Sequence, residues 1–281
     1  MNIFDHGSGL PVVVIPGVQG RWEWMTPAVD ALAQRNRVIT FSLADEPSAA
    51  ARFDKNAGFW SYVEQVREAL DQCGIGRTAI CGVSYGGPIA AAFAARYPDR
   101  VSAIVLVSAL PPSWRADARV RRYLQFPWLL MPLFCLGSLR LYREIAAAND
   151  TRWSGMKAAC GAAMNVLLHM FHPGRMARRV HLLTSAFGGP NDAQRIAAEL
   201  RRVKVRTLIV TGEEALERVV PPAATRQYAT VWPHAQVQVL ARTGHLGLIT
   251  RPREFAMLVS RFIAESESDN EPARVASTLT G

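Results

Sequence analysis

One stretch limits the folds open to this chain more than any other. Thr78-Ala79-Ile80-Cys81-Gly82-Val83 is a short apolar run that reads as a buried strand. It passes through Gly82-Val83-Ser84-Tyr85-Gly86, a Gly-x-Ser-x-Gly sequence, and continues into the Ala-rich segment Ile89–Arg96, which reads as a helix. A serine at such a strand-to-helix bend is held with its hydroxyl exposed. Small neighbours are needed there because the backbone is strained and the helix lies close to the strand. The start of the helix also favours negative charge developing nearby. The motif is short and recurs by chance, so the strand before it and the helix after it are what give it meaning.

The flanking sequence extends this pattern. Pro11–Ile15, Arg37–Leu43 and Val101–Val107 read as further strands, and their continuous β-branched runs suit strands buried on both faces of a parallel sheet. Between them, Trp24–Ala33 and Phe59–Cys73 have helical spacing, and Gly74-Ile75-Gly76 and Tyr97-Pro98-Asp99 mark stops. Strands alternating with helices at this spacing predict a parallel sheet joined by crossovers. The alternation breaks after Pro111-Pro112. From Ser113 to Arg202 no good strand is legible, only apolar and Arg-rich helical stretches broken by Pro127, Pro132, Gly137, Pro173 and Gly188-Gly189-Pro190. The sheet resumes at Val205–Val210 and ends at Ala235–Leu240, and a last helix is expected over 252–264. The prediction is an α/β core of residues 1–112 and 203–264, an inserted α-helical cap at 113–202, and a polar, mobile tail at 265–281.

Charge is unevenly distributed. The net charge is +9, yet residues 113–206 alone carry 16 Lys and Arg against 5 Asp and Glu. The rest is therefore near neutral. A basic segment suits a solvated helical surface, an anionic membrane surface or an acidic ligand. No nucleic-acid-binding motif accompanies it, so no nucleic-acid partner is expected. The four cysteines, at 73, 81, 135 and 160, have neither metal-ligand spacing nor the look of a disulfide framework. Residues 1–6 show no basic and apolar leader pattern, and a cytoplasmic location is expected.

Ser84, an acidic residue near 217 and His245 follow one another in the order nucleophile, acid, base, each just after a predicted strand. In this the chain resembles the α/β-hydrolase family, over nearly its whole length outside the cap and the tail. The resemblance implies a mostly parallel sheet flanked by helices, with ligands bound over the carboxyl ends of its strands. It implies Ser84 as nucleophile and His245, in Thr243-Gly244-His245-Leu246, as its base. The family's acid commonly stands in Gly-x-x-Asp ahead of a hydrophobic residue and Pro. Counting from Gly212 reaches Ala215, whereas counting back from Val220-Pro221 reaches Glu217. Glu217 is preferred, with Glu213 and Glu214 open. The oxyanion-hole donors implied are the backbone amides of Tyr85 and Val18. Pro16-Gly17-Val18 stands where the family usually has His-Gly-x, a departure that puts the pinning of this loop in question. Trp22 and Trp24 are equally suited to a pocket wall and to the core, and His169 and His172 could face the pocket.

Within the cap, residues 124–134, among them Trp128 and Met131, are densely apolar but too short and too Pro-broken to span a bilayer. With Gly17, Trp22 and Trp24 they are the expected substrate-binding residues, and they imply a hydrophobic substrate moiety. The resulting expectation is a serine esterase acting on a small hydrophobic ester without metal or organic cofactor. The same constellation also serves carbon–carbon bond hydrolysis and lactone opening. A slow ligand receptor on the same scaffold, or weak membrane contact through the cap arginines, belongs to a different class.

Overall fold

The computed structural model describes residues 1–111, 113–130, 172–187, 189 and 192–278. Seven strands form one sheet: β1 (Phe4–His6), β2 (Pro11–Ile15), β3 (Arg37–Thr40), β4 (Thr78–Val83), β5 (Val101–Val107), β6 (Arg206–Thr211) and β7 (Gln236–Val239). Their spatial order is β1-β3-β2-β4-β5-β6-β7. Every neighbouring pair is parallel except β1 with β3. The mostly parallel sheet flanked by helices that the sequence led us to expect is therefore present. Strand β1 was not foreseen. It is three residues long and largely exposed, so burial imposes no pattern on it. Beyond the sheet register, the ion pair of Arg37 with Asp5 at 2.7 Å ties it to β3.

The longer helices are α1 (Thr26–Ala33), α2 (Trp60–Gln72), α3 (Gly86–Arg96), α4 (Ala118–Gln125), α5 (Pro173–Phe187), α6 (Asp192–Arg201) and α7 (Pro252–Thr278). The two-residue period of a strand sends alternate side chains to opposite faces. Val13 and Ile15 of β2, Ile80 of β4 and Ile104 of β5 join a core with α2 and α3. Val12 and Val14, Ala79 and Cys81, and Ala103 and Val105 join a second core with α1 and α7. Both faces are thus covered, which is why the central strands read as unbroken apolar runs. Each fully buried Val or Ile contributes roughly 1.5–3 kcal/mol of transfer free energy.

Between β5 and β6 the described residues form α4, α5 and α6, with no strand among them. Helices α5 and α6 pack back onto the α2–α3 face: Phe187 meets Phe59 edge-on at 4.8 Å between ring centroids, and Trp232 Nε1 donates to the Leu200 carbonyl at 3.0 Å. The last helix corrects the sequence expectation of a loose tail from residue 265, for α7 continues to Thr278. Glu265 and Asp269 lie one turn apart and both face Arg206, at 3.5 and 2.8 Å. Ser266 is buried, with its hydroxyl donating to the Phe262 carbonyl at 2.7 Å. Polar residues that looked unable to bury anything are held by the edge of the core beside them.

Candidate active site

Because β4 to β7 are parallel, the loops that leave them emerge along one edge of the sheet. Ser84 follows β4 there, with φ of +52°. A left-handed conformation at a non-glycine residue costs on the order of 1–3 kcal/mol and persists only where the surroundings fix it. Here the Ser84 amide donates to the Val107 carbonyl at 2.8 Å, while the Ser84 carbonyl accepts from the Gly87 and Leu110 amides at 3.0 and 3.2 Å. The glycines after it allow the close approach: a Cβ on Gly86 would collide with the Ile15 carbonyl oxygen. Ser84 is 7% exposed. Among the described residues its hydroxyl makes no hydrogen bond, to His245 or to any other group.

Glu217 lies in the loop after β6 and His245 in the loop after β7, and the structure brings these two together. His245 Nδ1 is 3.3 Å from Glu217 Oε2. Glu217 is 6% exposed, and its other oxygen, Oε1, accepts from the Val219 and Val220 amides at 2.7 and 3.0 Å. Burial alone would raise its carboxyl pKa. His245 and the two amides outweigh burial and hold it below the ordinary glutamate value. The two loops are themselves in contact, since a Cβ on Gly244 would lie 2.6 Å from the Leu216 carbonyl oxygen and 2.9 Å from the Glu217 nitrogen. Counting back from Val220-Pro221 thus reached the carboxylate that meets the imidazole. Glu213 instead accepts the amide of Arg242, at 2.7 Å, where φ is +58°, and Glu214 is exposed.

Sequence reasoning missed Ser108. It follows β5, has φ of +41°, and donates its hydroxyl to Glu217 Oε2 at 3.3 Å. No motif marks it; its only signal is its place just after a predicted strand. The loop after β2 lies close by: a Cβ on Gly17 would sit 3.5 Å from Ser84 Cβ and 3.7 Å from Trp24 Cζ2. The Tyr85 amide immediately precedes α3.

The other expected substrate-binding residues are dispersed. Trp24 is a core residue whose indole edge reaches Gly17. Trp22 lies against Phe4 with ring centroids 4.5 Å apart. Trp128 is 59% exposed, its indole near Gly174 at the start of α5. His172 is exposed, while Met131 and His169 lie outside the described residues. A cavity of about 320 Å³ opens beside α3, bordered by Trp60, Ala92, Trp114, Leu183, Phe187 and Tyr228; neither Ser84 nor His245 lines it. Among the described residues no group of three or more His, Cys, Asp or Glu could hold a metal ion. None of their helices is long and apolar enough to cross a membrane.

Comparison with known proteins agrees with this architecture. A 2-hydroxymuconate semialdehyde hydrolase of Pseudomonas putida is 26% identical over 287 residues, covering 95% of this chain and 92% of its own. Among solved structures, an enol-lactonase from Burkholderia xenovorans LB400 superposes with a TM-score of 0.71 at 20% identity, covering 94% of this chain and 96% of that one. A thermophilic esterase from Thermogutta terrifontis gives 0.70 at 18% identity, covering 94% and 93%. The family model described as the alpha/beta hydrolase fold matches residues 11–252. With that match running from β2 to the start of α7, over a parallel sheet whose strand ends carry a strained serine and a carboxylate–imidazole pair, the chain belongs to the alpha/beta hydrolase family.

Proposed function

We propose that this hydrolase is a serine enzyme that cleaves carboxylic esters of a hydrophobic substrate through an acyl-enzyme on Ser84. One observation carries the reading: Ser84 stands in a left-handed conformation at the end of β4, on the same sheet edge as His245 and its buried partner Glu217. A serine hydroxyl is a poor nucleophile at neutral pH and needs a base to take its proton. In the proposed reaction His245 Nε2 accepts that proton as Ser84 Oγ attacks the ester carbonyl carbon. Glu217, facing Nδ1, fixes the imidazole tautomer and stabilises the imidazolium. The oxyanion is received by the Tyr85 and Val18 amides, and each such donor is worth about 3 kcal/mol of transition-state stabilisation. The tetrahedral intermediate collapses, and the leaving alcohol takes its proton from His245. Water, deprotonated by His245, then attacks the acyl carbon and frees Ser84. No step calls for a metal or an organic cofactor. In this proposal residues 113–202 roof the site, and their arginines lend a weak affinity for anionic membrane surfaces.

A second reading uses the same residues for carbon–carbon bond hydrolysis. It is favoured by the curated relative above, which matches across 95% of this chain and is named for a semialdehyde hydrolase. One experiment addresses both. The purified chain is assayed against p-nitrophenyl esters of increasing acyl length and against a dienoic ring-fission product, then treated with a serine-reactive phosphonate and the adduct located by mass. Phosphonate on Ser84, with ester turnover abolished in Ser84→Ala, is the expected result. Dienoate turnover with little ester activity favours the second reading. Wild-type turnover in Ser84→Ala refutes both.

A further inference from the structure

We propose that Arg179 is the positioning residue of the oxyanion site, a role that rests on the reading of Val18 and Tyr85 as its donors. Arg179 lies on α5, more than 90 residues from Ser84 in the chain, yet its side chain is fully buried beneath the loop that carries Val18. Its Nη1 donates to the Val18 carbonyl at 2.9 Å. Its own main-chain carbonyl accepts the Tyr85 hydroxyl at 2.9 Å. One residue therefore contacts both residues that supply the expected donors, the Val18 carbonyl through its guanidinium and the Tyr85 side chain through its backbone.

The guanidinium is in turn fixed by two carboxylates of the loop after β3. Nε donates to Asp45 at 2.9 Å, and Nη2 meets Glu46 at 2.5 Å and Asp45 at 2.8 Å. Asp45 and Glu46 are buried, and Arg178 and Arg175 of the same helix pair with them at 2.9 and 3.3 Å. A buried cation so surrounded is committed to protein acceptors and closed to solvent, so it acts through Val18 and does not touch substrate.

The turn itself is built to receive it. The Gly20 amide donates to the Gly17 carbonyl at 2.9 Å. Gly20 has φ of +76°, and a Cβ there would occupy the space of the Arg179 guanidinium. Gly17 of the same turn lies beside Ser84. The Gly17 carbonyl, held by the Gly20 amide, shares its peptide plane with the Val18 N–H, and the Val18 carbonyl, held by Arg179, lies in the next plane; the two bonds together restrain the torsions of Val18 and so the direction of its amide. The loop lacks the histidine usual at position 16, and the planar fork of Arg179 supplies a restraint on it from the far side.

The test uses the full chain with Arg179→Lys and Tyr85→Phe. Lysine keeps the charge but cannot bridge Asp45, Glu46 and Val18 in one plane, and Phe removes only the hydroxyl that reaches Arg179. Active sites are counted by phosphonate titration, so that misfolded protein is excluded from the rates. The kcat per titrated site for p-nitrophenyl butyrate is then measured, together with affinity for a trifluoromethyl ketone, whose adduct with serine places an oxyanion between the donors. The expected result for Arg179→Lys is a 10–100-fold fall in kcat with KM within threefold, since a misplacement near 1 Å costs about that much. Ketone affinity should weaken by the same factor. Tyr85→Phe is expected to fall about 3–10-fold in both and carries the test alone if the lysine variant does not fold. A lower melting temperature with kcat per site and ketone affinity within twofold of wild type overturns the proposal. Absence of phosphonate on Ser84 in the unmutated chain removes the underlying reading, and the proposal with it.

Discussion

Glu217→Gln tests the carboxylate assignment with little change of shape. Oε1 accepts two amides, from Val219 at 2.7 Å and Val220 at 3.0 Å. Only an oxygen can occupy that place, so the new NH₂ must stand where Oε2 was, 3.3 Å from His245 Nδ1 and 3.3 Å from Ser108 Oγ. An N–H pointed at Nδ1 makes Nδ1 the acceptor and moves the imidazole proton to Nε2. In that tautomer Nε2 cannot take the Ser84 proton. The analogous Asp→Asn change in serine proteases lowers kcat by about 10⁴, which corresponds to about 5.5 kcal/mol of barrier. A fall of about 10³–10⁴ in kcat with KM nearly unchanged is expected here, measured with a p-nitrophenyl ester at pH 7. Folding supplies a second readout. Because the folded pKa of Glu217 is depressed, its carboxylate contributes stability that is fully present above the ordinary glutamate value of about 4.3. That contribution is lost as the pH falls through the lower folded value. The Gln variant should lose this part of the acid dependence. Glu213→Gln is the control, because Glu213 holds the Arg242 amide and does not reach His245. A folded Glu217→Gln with kcat within tenfold of wild type refutes the reasoning, as does a larger loss in Glu213→Gln.

Further outcomes follow from the burial around the bend. Cys81 is fully buried in β4, and burial pushes its thiol up to about 12, so iodoacetamide at pH 8 should leave it unmodified in the native chain and modify it after unfolding; peptide masses would show native modification if this is wrong. A Cβ on Gly87 would strike Ala109 Cβ. Gly87→Ala should therefore cost about 1–3 kcal/mol and lower the melting temperature by roughly 3–10 °C, and an unchanged melting curve would contradict the packing of α3 on the sheet.

The fold was legible where burial was strongest. Val12–Ile15, Thr78–Val83 and Val101–Val107 are covered on both faces, so apart from Thr78 and Ser102 their sequences are apolar, and a nearly continuous apolar run between turn signals reads as a strand. Legibility failed at the margins. β1 is short and exposed, and its pairing with β3 leaves no periodic trace. Glu265 and Asp269 are polar because they meet Arg206 and solvent. Composition does not separate a helix held at one edge from a free tail.

The site divides along similar lines. Ser84 and His245 stood out because tight bends demand glycines next to them, and the sequence records those glycines. Glu217 was reachable through the adjacent Val220-Pro221, although the loop ahead of it departs from the usual spacing. Ser108 and Arg179 carry no such mark. Ser108 works through a conformation, and serine is common in loops. Arg179 is one of sixteen basic residues in a segment whose charge suggests a solvated surface. Local composition could not show that this one turns inward, because its acceptors, Asp45, Glu46 and the Val18 carbonyl, come from loops more than 130 residues earlier in the chain. Once that clamp is seen, the described arginines of the basic segment are not all alike. Arg119, Arg121 and Arg122 lie on an exposed helix, and neutralising them should change salt dependence and surface binding. Arg175, Arg178 and Arg179 join the helix to the loops at the strand ends, and changing them should alter the chemistry.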